Sequence, residues 1–189
     1  KKISVDSATL MNKVFEVIEA QRIFNIDLKK FKILIHPKSY VHAIIKFNNG
    51  LIKILAHDTD MKVPIFNTLY EKPDKSFNTK KINILYLNNL NLHKVNKKRF
   101  PSIDFLKYFS NKITLYETVL IAANEELVNL FLLGQIKFTD IHKYLKKILN
   151  QTEFLKYKRI KPQNYKQIED LNKYVRLKTL TLSVLSQKC

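Results

Sequence analysis

The chain has 189 residues and carries 34 Lys+Arg against 16 Asp+Glu, a formal net charge of +18, while its 46% hydrophobic content excludes a wholly disordered polymer. Gly50 and Gly134 are its only glycines and Cys189 its only cysteine, so a glycine-rich nucleotide loop, a disulfide framework and a cysteine zinc site are all excluded. The single cysteine points to a reducing compartment, and no apolar run approaches the ~20 residues of a membrane span.

The charge is lysine charge: 30 Lys against four Arg, with Asn (17) and Ile (21) also abundant. These three residues share A/T-rich codons, and recognition of nucleic acid leans on Arg for bidentate contacts. The basicity therefore reads as a compositionally biased surface rather than a polyanion site.

In chain order, Asp6 or Ser7 can cap a helix running to about Arg22. Two strand-like segments follow, Phe31–His36 and Tyr40–Phe47, separated by His36-Pro37-Lys38-Ser39. Asn48-Asn49-Gly50 is a hairpin turn and Leu51–Ala56 the returning strand. Residues 71–99, rich in Lys and Asn and without a period, read as a long connection. Beyond it, helices are predicted from Phe100-Pro101 to about Tyr108 and from Tyr116 to Leu133, closed by Gly134 as the C′ residue. Two more are predicted after Thr139-Asp140 to about Asn150, and over Asn164 to Tyr174. The expected fold is α+β: a small antiparallel or mixed sheet with a packed helix, a linker, and a C-terminal helical bundle. The corresponding domains are 1–70, 71–99 and 100–189. A start at Lys1-Lys2-Ile3 without an initiator Met reads as the downstream part of a longer protein.

The first helix is apolar on most sides through Leu10, Met11, Val14, Phe15, Val17 and Ile18, so its polar residues need partners. At 100° per residue, Asn12, Glu16 and Glu19 share a strip with Lys13 at its edge. Ser7 lies by the expected helix N-terminus, where free backbone N–H groups favour an anion. Ser7, Asn12 and Lys13 can thus cradle a phosphate, and Glu16 is a hard oxygen donor suited to Mg²⁺ or Mn²⁺. The alternative is an internal Lys13–Glu16 pair at i,i+3 with Asn12 merely hydrogen-bonded. Among the histidines, His36 reads as a structural hydrogen-bonding residue, and Asn124-Glu125 as a structural polar contact.

The run Lys2-Ile3-Ser4-Val5-Asp6-Ser7-Ala8-Thr9-Leu10-Met11-Asn12-Lys13, continuing through Glu16 to Ile18-Glu19-Ala20, resembles a signature of the 1-deoxy-D-xylulose 5-phosphate reductoisomerase family. Ile35-His36-Pro37-Lys38-Ser39 with His42, then Asp60-Met61 with Pro64-Ile65, continue the series. Phe100-Pro101, Ala122-Ala123-Asn124-Glu125 and Phe138-Thr139-Asp140-Ile141 follow in the same order. The family pattern is broken at Thr59, where many relatives have Pro, at Ile121, where they often have Asn, and through 71–99.

The resemblance implies an NADPH-dependent and divalent-metal-dependent rearrangement and reduction of 1-deoxy-D-xylulose 5-phosphate to 2-C-methyl-D-erythritol 4-phosphate. It also implies Mg²⁺ or Mn²⁺, a phosphorylated sugar substrate, a homodimer, no nucleic acid and no membrane, in a bacterial cytoplasm or alternatively a plastid. By position, Ser7, Asn12 and Lys13 would hold the substrate phosphate and Glu16 would contribute to the metal, with His42 and Met61 in supporting roles. The family's dinucleotide-binding domain, Asp-Ser-Glu metal motif and substrate loop are expected upstream of Lys1, so the chain alone should be inactive. Two other classes compete: a basic nucleic-acid-binding module and a non-catalytic dimerisation module.

Overall fold

A computed structural model describes residues 1–70, 75–81 and 83–185, without the side chains of 184 and 185. Cys189 lies outside the described residues. Eight α-helices and four strands are formed among them: α1 Lys2–Ala8, α2 Met11–Phe24, β1 Leu34–Ile35, β2 Val41–Lys46, β3 Ile52–Ala56, α3 Lys62–Leu69, α4 Ile84–Asn88, β4 His93–Lys94, α5 Tyr116–Leu132, α6 Phe138–Leu149, α7 Thr152–Leu155 and α8 Tyr165–Leu185. The class is α+β, as expected. None of the described helices is long and apolar enough to cross a membrane.

Two compact units are present, and they fall differently from the division 1–70, 71–99 and 100–189: one unit is 1–32 with 96–189, the other 33–95. Specific polar contacts tie the first helices to the C-terminal ones. Buried Asp6 of α1 accepts a hydrogen bond from Asn124 Nδ2 of α5 at 2.8 Å, Lys2 pairs with Glu125, and Arg22 of α2 pairs with Glu117. The apolar face of α2, Met11, Val14 and Ile18, joins a core with Phe105, Leu120, Leu127, Leu145, Ile148 and Val175.

The single first helix expected from the sequence is two helices. Thr9 Oγ1 donates back to the Val5 carbonyl at 3.1 Å and accepts from the Met11 N–H at 3.4 Å. This is the competition with the helical ladder that Thr offers. Leu10 then turns through φ 57°, the left-handed region, before α2 begins. Asp6 and Ser7 are therefore in the last turns of α1 and cap nothing.

The C-terminal bundle keeps the expected order with altered bounds. Pro101–Tyr108 is a 3₁₀ stretch rather than an α-helix. The α5 helix ends as expected at Gly134, φ 73°, with Gly134 N–H on the Phe131 carbonyl and Gln135 N–H on that of Leu130, a Schellman closure. Asp140 lies inside the first turn of α6 and accepts from the Lys137 N–H at 3.0 Å. Asn164 caps α8 through the Gln167 N–H at 2.9 Å. That helix runs past Tyr174 because the stripe Leu171, Val175, Thr179 and Ser183 is buried. Two of its members are hydroxyls, which hide the apolar period, and both donate to their own helix's carbonyls.

In the unit 33–95 the sheet is two separate antiparallel pairs, β1 with β4 and β2 with β3. The predicted strand Phe31–His36 shrinks to Leu34–Ile35. The β2–β3 hairpin sets Ile44 opposite Ile54 and Lys46 opposite Ile52. Ile44, Ile52 and Ile54 on one face are exposed, as are Ile45 and Leu55 on the other. A two-stranded hairpin with two bare apolar faces is marginal by itself.

Burial raises the Asp6 carboxyl above its ordinary value of 3.8, with the Asn124 amide and Lys2 pulling partly the other way. An acid whose folded value is raised stabilises the fold below its unfolded value, and that contribution is lost as pH rises through the raised one. Urea unfolding of wild type and Asp6→Asn across pH should therefore show wild type losing stability relative to the variant as pH climbs above about 3.8. A pH-independent difference would mean that Lys2 and Asn124 fully compensate the buried charge.

Candidate functional site

The break at Thr9-Leu10 decides where the anion-favouring helix end lies. The N-terminus of α2 falls at Leu10, which supplies no side-chain cap, so Asn12 and Lys13 occupy the first helical turn. The Met11 N–H already donates to Thr9 Oγ1 at 3.4 Å and the Lys13 N–H to the Leu10 carbonyl at 3.2 Å, so this turn presents chiefly the positive end of the helix dipole beside an amide and an ammonium. Ser7 is exposed in the last turn of α1 and its carbonyl takes the Leu10 N–H at 3.1 Å. The helix end expected at Ser7 is displaced to Leu10, bringing it closer to Asn12 and Lys13 in sequence.

Lys13 and Glu16 form the i,i+3 pair that the spacing allowed: Nζ lies 2.8 Å from both Oε1 and Oε2. Both side chains are solvent-accessible, at 42% and 53%, so the pair is loose enough to open toward a ligand. Asn12 is half-buried and its Oδ1 is buried without a hydrogen-bond partner among the described residues. An unpartnered buried amide oxygen costs about 1–3 kcal/mol unless a donor reaches it. Glu19, on the same strip, is exposed.

The foundation under this turn is the α1–α5 contact. Asn124 and Glu125 are the structural polar residues of α5: Asn124 holds Asp6, and Glu125 is shared between Lys2 and Arg176. In the sequence Asp6 reads as a helix cap and a member of the signature run, not as a buried partner, and Arg176 carries no signal beyond its type. Each gains its role only from a partner more than 50 residues away along the chain.

The unit 33–95 holds the remaining candidates. His36 is buried, and its Nδ1 accepts from the Tyr40 and Val41 N–H groups at 2.9 and 3.3 Å. It therefore closes the Pro37 turn as a structural residue. His42, exposed on β2, stacks on His57 with ring centroids 3.7 Å apart and planes within 6°. Its Nε2 lies 3.2 Å from the His57 carbonyl. No local pattern joins them; the β2–β3 register and a bulge between Val41 and Ala43 align the two rings. Met61 precedes α3 and is 65% exposed.

Glu16 is a hard oxygen donor suited to a divalent ion, and no group of three or more His, Cys, Asp or Glu stands together among the described residues. An accessible carboxylate held only by a surface ammonium fits the role of one ligand in a larger set. It does not make a metal site.

Family models match the chain in two places. A model described as the DXP reductoisomerase C-terminal domain matches residues 57–178, and one described as the 1-deoxy-D-xylulose 5-phosphate reductoisomerase C-terminal domain matches residues 1–24. Among relatives, the 1-deoxy-D-xylulose 5-phosphate reductoisomerase of Pelagibacter ubique is 55% identical over 184 residues, 97% of this chain and 47% of that protein. The Aquifex aeolicus enzyme of the same name is 38% identical over 150 residues, 79% and 40% respectively. The solved reductoisomerase from Zymomonas mobilis in complex with NADPH superposes with TM-score 0.82 at 30% identity, over 97% of this chain and 47% of that one. A DOX-P reductoisomerase with fosmidomycin and magnesium gives TM-score 0.89 at 28% identity, over 100% and 48%. The chain spans about half the length of the relatives it matches.

The Lys13–Glu16 pair is exposed, and pairs of this kind contribute only about 0.2–1 kcal/mol. Glu16→Gln should accordingly lower the unfolding free energy by less than about 1 kcal/mol, measured by urea denaturation. A larger loss would make Glu16 a structural partner of Lys13.

Proposed function

We propose that this chain, which belongs to the DXP reductoisomerase family by the match of its C-terminal domain model over residues 57–178, forms the phosphate-holding part of an enzyme. That enzyme converts 1-deoxy-D-xylulose 5-phosphate to 2-C-methyl-D-erythritol 4-phosphate. The observation that carries the reading is the first turn of α2: an uncapped helix N-terminus presenting Asn12 and an accessible Lys13–Glu16 pair, inside the segment matched by a second family model. The identities of 55% and 38% with reductoisomerases favour this over a nucleic-acid-binding module. The clustering of Asn12, Lys13 and Glu16 disfavours a purely structural dimerisation module.

In this reading Ser7, Asn12 and Lys13 hold the substrate phosphate. Lys13 supplies charge, Asn12 and Ser7 supply directed hydrogen bonds, and the positive end of the α2 dipole completes the cradle. The phosphate lies away from the carbons that rearrange, so its binding energy is available to orient them. When the phosphate engages Lys13, Glu16 loses its ammonium partner and is released as a carboxylate ligand. Glu16 supplies one donor to Mg²⁺ or Mn²⁺, the remaining ligands coming from other parts of the full-length enzyme. A bound divalent ion supplies Lewis-acid polarisation of the substrate oxygens, and NADPH supplies the hydride; relatives are described with NADPH, fosmidomycin and magnesium. None of the described residues is assigned to NADPH. His42 and Met61 have supporting roles at the active site of the full-length enzyme. The bacterial relatives fit a cytoplasmic enzyme.

We further propose that the full-length enzyme is a homodimer built on the β2–β3 hairpin, whose exposed Ile44, Ile52 and Ile54 offer an apolar face for a second copy.

In the full-length enzyme, Glu16→Gln should reduce turnover by roughly two orders of magnitude or more, most severely at limiting metal, with NADPH affinity unchanged. Lys13→Gln should weaken substrate and fosmidomycin together by about 1.5–3 kcal/mol. Steady-state kinetics and fosmidomycin titration measure both; a parallel loss of NADPH binding would move these residues to the cofactor side.

Placing a charge on the hairpin, as Ile44→Asp or Ile54→Asp, should shift the full-length enzyme toward monomer in light scattering at micromolar concentration. An unchanged dimer in both variants would transfer the interface elsewhere.

A further inference from the structure

A second concentration of positive charge lies on the bundle unit, away in sequence from the α2 turn. Lys112, Ile113 and Thr114 on one side and Lys158, Arg159 and Lys161 on the other line a cleft of about 480 Å³, within the range of roughly 300–1,000 Å³ typical of small-molecule sites. Four of its six lining residues are cations and none is an acid. Arg159 is one of only four arginines in the chain.

The walls are held by the fold rather than left to surface mobility. The Leu115 N–H donates to the Ile160 carbonyl at 2.8 Å and ties the two segments together. Arg22 donates to the Asn111 and Lys112 carbonyls at 3.0 and 2.9 Å, fixing the approach to the first wall. Asn111 Oδ1 accepts the Leu28 N–H at 2.9 Å. On the second wall the Lys158 ammonium is 4.9 Å from the ring centroids of both Tyr108 and Tyr116, which orients it by cation–π attraction. Tyr116 is itself buried and donates its hydroxyl proton to the Leu149 carbonyl.

No ion pair is formed by Lys112, Lys158, Arg159 or Lys161 among the described residues, whereas Arg22 and Arg176 each have glutamate partners. Glu117, on the turn that follows Thr114, is already committed: its Oε1 faces Arg22, and its Oε2 accepts from Thr114 N–H and Oγ1 at 3.2 and 2.7 Å. Like charges held together without a counter-charge repel, and that repulsion is relieved by an anion bridging them. Composition alone spreads lysines over a surface. It does not explain four cations on two pinned walls with the adjacent acid turned to other partners.

We propose that this cleft binds a small polyanion of the phosphate or diphosphate class, with Lys112, Lys158, Arg159 and Lys161 as its charged contacts. Arg159 offers a planar fork to two phosphate oxygens, and the lysines act as point charges around it. Ile113, exposed at the rim, leaves room for a compact apolar group beside the anionic head.

The test is calorimetric titration of the full-length enzyme with inorganic pyrophosphate after fosmidomycin has been added in excess. Wild type should show saturable binding, and Lys158→Gln/Arg159→Gln should weaken it at least tenfold. Lys161→Gln, an exposed residue whose loss does not threaten folding, should weaken it about threefold. A control with the same change in net charge, Lys29→Gln/Lys30→Gln, should change it less than twofold. Lys13→Gln should leave it intact, so failure of the substrate-site reading and failure of this one are separable. Equal weakening by the two double variants, or no saturable binding to wild type, would overturn the proposal.

Discussion

The buried hydrogen bond between Asp6 and Asn124 is the contact on which the candidate site rests. It crosses from α1 to α5 and is flanked by the Lys2–Glu125 pair, which Arg176 of α8 shares. Three helices are thereby joined around a carboxyl that burial disfavours as an anion. Once α1 is fixed to the bundle, the left-handed turn at Leu10 sets where α2 begins. Apolar packing alone would bury α2 without selecting which end of it stays accessible.

The same arrangement explains why Lys13 and Glu16 can be both a pair and a site. A buried salt bridge would resist opening, because each partner would be left uncompensated. An exposed i,i+3 pair separates at little cost. In the proposed reading, phosphate competes for Lys13 and leaves the Glu16 carboxylate to a metal ion. The pair is then the resting form of the two ligands rather than a rival to their function.

The two basic features of the molecule differ in construction. At the α2 turn a single ammonium is supported by a helix N-terminus and directed amides. At the 112–114 and 158–161 cleft four cations stand on walls held by backbone hydrogen bonds and by two tyrosine rings. The first suits a phosphate whose orientation matters, and the second suits an anion recognised mainly by charge.

The sequence by itself determined the α+β class, the hairpin at Asn48-Asn49-Gly50, the Gly134 helix stop and the family, because turn chemistry, periodicity and ordered motifs are local properties. It also placed Asn12, Lys13 and Glu16 on one strip of a helix, which follows from 3.6 residues per turn alone. It missed the α1–α2 break, because Thr9 interrupts the ladder through its own hydroxyl while the apolar pattern runs on unbroken. It stopped α8 at Tyr174, because buried Thr179 and Ser183 satisfy their hydroxyls within the helix and so read as polar. Only the tertiary structure decided that α1 and α2 belong with the bundle, that His57 stacks on His42, and that Lys112 meets Lys158. Each of those depends on a partner distant in sequence, and no local preference carries that information.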